Sequence, residues 1–184
     1  MRYLCTLIMK PELLKTDRLR LVPVTIKTCN AELASLNRLS RLLQATIPGS
    51  WPPPLVTEDT VHEFIELLSD TEKPGLCSWY WVMDNSHQKK DDILIGSGGL
   101  YFCDDGSCEI GYSVLDGYQR QGYATEAVCR IIEYLFSRTD LEHIYATTYP
   151  GLYPSVRVLE KCGFLPDGDG KEEGSIRYVI HKFF

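Results

Sequence analysis

The sequence is poor in the features that mark nucleic-acid-binding, secreted and membrane proteins. It has 19 basic residues against 25 acidic ones, a formal net charge of −6. It therefore lacks the basic surface that broad nucleic-acid binding requires. Residues 1–13 combine Arg2 with a short apolar run, but they show neither the cleavage pattern of a secretory signal nor the length of a membrane span. These absences predict a soluble protein with a small or locally recognised substrate.

Cysteine and histidine are too scattered to indicate a metal site. The seven cysteines are odd in number and have no paired short spacing, and there are only four histidines. A zinc site needs clustered ligands, so we predict no metal. Cysteines used in this way are typical of a reducing compartment, which predicts a cytoplasmic location.

The length and the apolar content predict one domain over residues 1–184. A chain of 184 residues with 44% apolar content is long enough to bury one continuous core, but short for two. Met9 is followed by Lys10 and is an alternative start, which would make residues 1–8 an upstream extension. The intact mass of the natively expressed protein would decide between the two starts.

The first third of the chain is predicted to form a strand and two helices. Alternating leucines in residues 14–25 predict a strand that ends at Pro23. Leucines at helical spacing predict a helix over 30–44 with Asn30 as its N-cap. A loop with four prolines carries Trp51, and a second helix begins near Thr57 or Thr60, where Thr60 and Glu63 match a capping box.

The remainder alternates strands and helices. Strands are predicted at 79–85, 93–102, 108–115, 141–149 and 176–184, and helices at 122–138 and 153–163. The polar residues 85–92 and the turn DDGS at 104–107 connect successive strands. The fold class is therefore α+β or α/β, with antiparallel strands in its middle.

The stretch YQRQGYATEA at 118–127 places a strand, a short loop and a helix start in succession. The N–H groups of a first helical turn have no intrahelical partners, and the helix dipole makes that end attractive to anions. Gly122 allows close approach of the backbone, and Arg120 offers a charge-assisted contact. This pattern predicts a phosphate site, although a solvated loop with a glycine at a helix start would look similar.

Gln119, Gly122 and Ala124 match the pattern Gln/Arg-x-x-Gly-x-Gly/Ala and resemble the pyrophosphate loop of the GNAT superfamily of N-acetyltransferases. The stretches LKTDRLRLVPVT, EIGYSVL with the TEA after the loop, and SVRVLEKCGF look like the branch of ribosomal-protein N-terminal (alanine/serine) acetyltransferases. The resemblance covers nearly the whole chain. It implies a GNAT-like α+β fold with a mixed, mostly antiparallel sheet of six to seven strands, about four helices, and splayed strands that form the CoA cleft.

The resemblance also implies acetyl-CoA as the cosubstrate and a set of residues that bind it. The strand residues Tyr112, Ser113 and Val114 are expected to offer backbone groups to the pantetheine arm. The loop from Arg120 to Thr125 is expected to offer N–H groups to the pyrophosphate. The implied cofactor-binding residues are Tyr112, Ser113, Val114, Gln119, Arg120, Gln121, Gly122, Tyr123, Ala124, Thr125 and Ser155.

The chemistry of the family is direct attack of an amine on the thioester, which needs an oxyanion site, a proton donor and a base. The resemblance places the oxyanion site at a backbone N–H near Tyr112 or Ser113. Leu152 and Leu159 stand where many relatives have an asparagine and a tyrosine proton donor. Ser155 matches a serine of the ribosomal-protein branch that serves the thiol. It could equally satisfy N–H groups at a helix start.

A carboxylate acting through water is the expected base. Glu109 precedes the cofactor strand, and it either acts as the base or pairs with a neighbouring strand or loop. Glu172 and Glu173 lie where the ribosomal-protein branch often has an acid, although a solvated hairpin is the more frequent use of such residues. The predicted catalytic residues are accordingly Ser155, Glu109 and Tyr112.

Aromatic residues offer candidates for the acceptor cleft, with Tyr101 and Tyr112 among them. Trp79 and Trp81 alternate in a strand, so core packing explains them equally well. Trp51 lies in the proline-rich loop, where its side chain is expected to be exposed. It is the favoured acceptor contact because its exposure would otherwise be unexplained. Cys162 is assigned to packing, not to covalent chemistry.

The predicted function is transfer of an acetyl group from acetyl-CoA to a primary amine, with a protein N-terminus as the favoured acceptor. Two alternatives remain open: a small-molecule amine as acceptor, and a non-catalytic CoA-binding module, which the leucines at 152 and 159 would suit. Nucleic acid and membrane are not expected as partners. A homodimer is an open alternative because relatives form one.

Overall fold

A computed structural model describes residues 11–53, 56–70, 75–88, 90–103 and 107–182. Its centre is one sheet of eight strands in the order β1-β2-β3-β4-β5-β6-β8-β7. The strands are β1 Leu14–Lys15, β2 Leu19–Pro23, β3 Leu76–Met83, β4 Ile93–Phe102, β5 Cys108–Val114, β6 His143–Thr148, β7 Leu165–Asp169 and β8 Ile176–His181. All neighbouring strands are antiparallel except β5 and β6, which are parallel.

Within the described ranges, five α-helices cover the two faces of this sheet. They are α1 Ile26–Ala34, α2 Leu36–Leu43, α3 Glu58–Ser69, α4 Tyr123–Arg138 and α5 Tyr153–Lys161. Helices α1 to α3 contribute to a core on one face, and α4 and α5 contribute to a second core on the opposite face. Among the described residues, no helix is long and apolar enough to cross a membrane.

Strand β3 separates the two cores by simple alternation. Trp79 and Trp81 face the α4 side, whereas Tyr80 and Val82 face the α1 to α3 side. Trp81 stacks on Tyr112 of β5, with ring centroids 6.3 Å apart. This packing needs Gly98 on β4, because a Cβ there would lie 2.8 Å from Trp81 Cζ2 and 2.5 Å from Tyr112 Cβ.

The sheet opens between β5 and β6. The ladder between β4 and β5 runs through seven register pairs, but within residues 107–182 a single pair, Glu109 with Tyr145, joins β5 to β6. Beyond that pair the two strands separate toward the loop that leads into α4. The expected splay is therefore present, and it divides the sheet into an N-terminal and a C-terminal part.

The N-terminal helices differ from the sequence prediction in their boundaries. The helix expected over 30–44 is two helices, because Ser35 ends α1 in an extended conformation and caps α2 through Asn37 N. Thr25, not Asn30, is the N-cap of α1, and it forms a capping box with Thr28. The expected box of Thr60 with Glu63 is also wrong: Thr57 caps α3 and Thr60 completes its box.

In the part of the chain that the structure describes, the sheet has eight strands where six to seven were expected, and there are five α-helices where about four were expected. A turn at residues 16–18 separates β1 from β2, whose register pairs include Leu14 with Leu21. Strand β7 was missed because LPDGD lacks strand-favouring residues; it forms at the edge of the sheet by pairing with β8. The proposed alternative start and the last two residues of the predicted final strand lie outside the described residues.

Candidate active site

The start of α4 has an exposed, uncapped backbone. Its N-cap is Gly122, at φ 86° and ψ −2°, and among the described residues no side chain caps the first-turn N–H groups. Arg120 also has a positive φ, of 59°, whereas Gln121 between them does not. Alternating signs of φ turn successive N–H groups toward one side of the chain and form an anion-binding concavity. The loop and the helix start together therefore suit a phosphate group.

The polar side chains of the loop support its shape. Gln119 Nε2 donates to the backbone oxygen of Val114 and to Asp116 Oδ1, both at 3.0 Å. Gln121 Nε2 donates to the backbone oxygen of Gly117 at 3.1 Å. These amide groups hold the loop against the end of β5, which leaves anion binding to the backbone and to the exposed Arg120.

Ser155 and Tyr112 meet at the splay. The Tyr112 hydroxyl lies 3.3 Å from Ser155 Oγ and 3.3 Å from the Ser155 backbone oxygen. Burial raises the pKa of Tyr112 to about 12, although its hydrogen bond with Ser155 lowers it. The tyrosine is therefore a neutral hydroxyl at physiological pH. In the described helix α5, no side chain caps the N-terminus, so Ser155 does not play the capping role that was its structural alternative.

A cleft of about 410 Å³ lies on the face of the sheet away from α4, over Glu109 and Tyr145, the register pair that joins β5 to β6. Its walls come from β5, β6, β8 and the connection between β7 and β8, and they include Glu109, His143, Tyr145, Thr147, Asp169 and Arg177. Arg177 lies over the Tyr145 ring, 5.0 Å from its centroid, and pairs with Asp167 at 2.8 Å. The cleft thus combines acids, bases and aromatic rings on the side of the sheet away from α4.

Two further tyrosines, Tyr101 and Tyr149, interact with acids near the cleft. Tyr101 on β4 is in register with Glu109, and burial followed by the Glu109 charge raises the pKa of Tyr101. Glu172 also contributes to that rise, which places its charge near the same hydroxyl. The Tyr149 hydroxyl donates to Glu172 Oε2. Glu109 is therefore part of a polar wall, and Glu172 is held by a tyrosine although its hairpin is exposed.

A family model described as an Acetyltransferase (GNAT) domain matches residues 18–165. The chain belongs to the GNAT family of acetyltransferases. The predictions of family, fold class and enzyme class are thereby confirmed. Curated relatives carry the name N-acetyltransferase; one is the uncharacterized N-acetyltransferase YjdG of Bacillus subtilis (strain 168), 29% identical over 154 residues that span 83% of this chain and 89% of the relative.

Solved structures of GNAT proteins share this fold. An acetyltransferase from Agrobacterium tumefaciens str. C58 superposes with a TM-score of 0.67 at 21% identity, covering 96% of this chain and 98% of that one. RimL, a ribosomal L7/L12 alpha-N-protein acetyltransferase solved in complex with coenzyme A, gives a TM-score of 0.62 at 14% identity, covering 92% and 98%. At these identities the likeness shows the fold alone.

Within this GNAT fold the predicted cofactor residues are contiguous around one end of the splay. Tyr112, Ser113 and Val114 end β5, and the loop then leads into the first turn of α4. The Tyr123 side chain is buried, donates to Met83 Sδ at 3.1 Å and does not face outward. Thr125 offers its backbone oxygen to Cys162 Sγ at 3.5 Å, which ties α4 to the end of α5.

The expectation that Trp51 contacts the acceptor is wrong. Its side chain is 6% exposed and belongs to the core on the α1 to α3 face. Its indole Nε1 donates to Glu32 Oε1 at 2.6 Å, and the Tyr80 hydroxyl donates to Glu32 Oε2 at 2.6 Å. The two hydrogen bonds to the half-buried Glu32 carboxylate explain the tryptophan as a structural residue. Trp79 and Trp81 are also fully buried, as core packing predicts.

Sequence reasoning missed Arg18 and most of the cleft. Arg18 contacts the loop before α4 from a turn more than 100 positions earlier in the chain, which no local pattern reveals. Residues His143, Tyr145 and Thr147 line the cleft because they alternate with the buried Ile144, Ala146 and Thr148 on β6. That alternation is visible in the sequence HIYATT and was the signal available.

Proposed function

We propose that this enzyme transfers the acetyl group of acetyl-CoA to a primary amine, with a protein N-terminus as the favoured acceptor. One observation carries the proposal: the splayed end of β5 leads into an uncapped helix start, and a cleft lined by Glu109 of the same strand opens on the face of the sheet away from α4. The cosubstrate and the acceptor can thus approach β5 from opposite faces of the sheet.

The loop residues fit the diphosphate of CoA. Gly122 presents no Cβ, and the nearest atom to one built there is Arg18 Nη2 at 3.4 Å. N–H groups of Arg120 to Thr125 would hold the diphosphate, and the edge of β5 that faces the splay, at Tyr112 to Val114, would hold the pantetheine arm. Acetyl-CoA would supply the activated thioester; the chain itself supplies binding, orientation and proton transfer.

Glu109 is proposed as the base that accepts a proton from the acceptor amine through water. It lines the cleft on the acceptor side of β5. Gly111 follows it on the same face by strand alternation, about 7 Å along the strand. That separation leaves room for a water molecule between the carboxylate and an amine placed over the splay. Backbone N–H groups near Tyr112 and Ser113 would stabilise the developing negative oxygen.

Ser155 and Tyr112 are proposed to protonate the departing thiolate. They occupy the α5 side of the splay, on the face away from Glu109, and their hydroxyl oxygens are 3.3 Å apart. Because Tyr112 stays protonated at neutral pH, the pair always carries a proton to donate. Many relatives have a tyrosine proton donor at the position of Leu159, which is buried in the core here. The pair of Ser155 and Tyr112 would take over the role of that tyrosine.

The favoured acceptor rests on the branch resemblance and on neighbours such as RimL, whose name states that it acetylates the α-amino group of a ribosomal protein. A cleft lined by strand residues, by charged side chains and by Tyr145 suits a chain terminus as well as a compact amine. The test is therefore a panel of peptides with free N-termini and small amines, assayed for thiol release and product mass. Acetylated peptides would support the favoured acceptor, and acetylated small amines alone would replace it.

The control variants are Gly122→Trp and Gly163→Trp. Both glycines have positive φ, 86° and 89°, so both substitutions strain the backbone similarly, but only Gly122 lies at the loop. We expect Gly122→Trp to abolish turnover and Gly163→Trp to retain it. CoA binding by the wild type without turnover of any amine in the panel would instead favour the non-catalytic module.

A further inference from the structure

We propose that Arg18 is a positioning residue that orients the loop toward the cofactor diphosphate. The proposal rests on the assignment of the loop to acetyl-CoA made above. Arg18 lies in the turn between β1 and β2, outside the loop, the splay and the cleft. Its guanidinium nevertheless contacts three residues of the loop and of the first turn of α4, Gln121, Tyr123 and Glu126.

The guanidinium group of Arg18 contacts Gln121, Tyr123 and Glu126 at the same time. Nη1 donates to the backbone oxygen of Gln121 at 3.1 Å. Nε donates to Glu126 Oε2 at 2.7 Å, and Nη2 lies 2.6 Å from the same oxygen. The guanidinium carbon stands 4.4 Å from the centroid of the Tyr123 ring. A planar fork with several donors can satisfy all of these partners at once, which a single ammonium group cannot.

The bond to Gln121 determines the direction of the next N–H. A trans peptide is planar, so its C=O and its N–H point in opposite directions. Because Arg18 holds the Gln121 carbonyl on the β1–β2 side, the N–H of Gly122 points away from Arg18. The alternation of φ from Arg120 to Gly122 turns neighbouring N–H groups into the same concavity. Arg18 therefore fixes the peptide plane on which the anion site depends.

Arg18 also pairs with the charge of Glu126, an acid in the first turn of α4. An unpaired carboxylate in the first turn of α4 would repel a phosphate at the same helix end. Its Oε1 instead accepts from Thr16 Oγ1 at 2.5 Å and from the Arg18 backbone N–H at 2.9 Å. The acid is thus neutralised by Arg18 and held toward the β1–β2 turn.

Arg20 provides a matched control on the neighbouring strand. It pairs with Asp92 at 2.7 Å and donates to the backbone oxygens of Leu43 and Gln44, both at 3.3 Å. Arg20 therefore has the same kinds of partner as Arg18, a carboxylate and main-chain carbonyls, but none of them belongs to the loop. Substituting Arg20 reports the cost of losing such a cluster without any effect on the loop.

The test compares CoA with pantetheine, which lacks the diphosphate and the nucleotide, by equilibrium titration of the purified protein. We expect Arg18→Met to raise the Kd of CoA about tenfold or more and to leave the Kd of pantetheine within twofold. Arg18→Lys should recover only part of the loss, because it restores the charge without the fork. Arg20→Met should lower the Tm and leave both Kd values within twofold.

Two results would overturn the positioning role. Unchanged CoA affinity in Arg18→Met would show that the loop orients itself, and an equal loss of CoA and pantetheine would show a general structural effect. Both readouts are binding constants, so they do not depend on turnover. If the expected pattern appears while the wild type acetylates no amine, the positioning role stands and the proposed enzymatic function fails.

Discussion

The helices on the two faces of the sheet begin in different ways. On one face, α1, α2 and α3 start with Thr25, Ser35 and Thr57, whose side chains accept from first-turn N–H groups. On the other face, α4 and α5 start with Gly122 and Leu152, and among the described contacts no side chain caps either of them. A capped helix end contributes to stability, while an uncapped one keeps its N–H groups available for a ligand. Both uncapped ends adjoin the splay.

The strongest test of this comparison places an acid at the uncapped start of α4. Gly122→Asp adds a carboxylate where the diphosphate is proposed to bind. Two like charges about 4 Å apart repel by about 4 kcal/mol at an effective dielectric constant near 20, which corresponds to a roughly 10³-fold higher Kd for CoA. Isothermal titration with CoA measures the change.

Gly163→Asp is the control for Gly122→Asp, because its φ of 89° imposes a similar strain at the end of α5. It should bind CoA as the wild type does. If Gly122→Asp also binds CoA normally, the absence of a side-chain cap on α4 has no connection with the cofactor.

The same comparison shows what the sequence could and could not predict. The start of α4 was predictable because strand, loop and helix follow one another within twenty residues, and Gly122 and Ala124 mark the turn directly. The division of the first helix was not predictable from leucine spacing, because Leu33, Leu36, Leu39 and Leu43 keep helical spacing across the break at Ser35. Local capping by Thr25 and Ser35 decided the boundaries instead.

The cleft and the Arg18 contacts depend on pairs of residues far apart in sequence. Glu109 on β5 and Arg177 on β8 line the same cleft only because β6 lies between β5 and β8 in the sheet. Trp51 was misassigned for a related reason: its partner Glu32 is on another element, so the tryptophan in a proline-rich loop looked exposed. Periodicity identifies the elements and their faces, whereas the partners of polar groups require the sheet order.

At α5, the second uncapped helix, substitution of Ser155 is expected to change turnover. Ser155→Ala removes the hydroxyl that meets Tyr112 and leaves no cap to lose, so kcat should fall by about 10²-fold, as for removal of a general acid. The Kd of CoA should stay within about threefold. Rapid-quench and titration measurements separate the two quantities.

Ser137→Ala, which removes a hydroxyl that donates to the Tyr134 backbone oxygen on α4, is the matched control and should retain kcat. A Ser155→Ala variant with normal kcat and a lower Tm would assign Ser155 to structure.

A smaller effect is expected at the capped helices. Thr57→Ala removes the side chain that accepts from Thr60 N at 3.3 Å, and loss of such a cap costs about 1 kcal/mol of unfolding free energy. Urea denaturation should show a lower midpoint with an unchanged slope, and CoA affinity should not change. If loss of the Thr57 cap weakened CoA binding, that result would contradict the division between the two faces.

The smallest effect concerns Glu126, the acid of the first turn of α4. Burial acts to raise its pKa, but hydrogen bonds from Thr16 and Arg18 and the Arg18 charge outweigh burial, so its pKa lies below the ordinary value of 4.5. A lowered pKa in the folded state contributes stability that is fully present above pH 4.5 and is lost as the pH falls through the folded pKa.

Glu126→Gln should therefore be less stable than the wild type above about pH 5, and the difference should narrow as the pH falls below 4.5. Urea denaturation at several pH values measures this, with Glu133→Gln, an exposed acid of the same helix, as the control. A difference that stayed constant to low pH would mean that the Glu126 charge is not what joins α4 to the β1–β2 turn. The start of α4 would then be held by Arg18 through the Gln121 carbonyl and the Tyr123 ring alone, and Arg18→Met would weaken CoA binding more than Glu126→Gln.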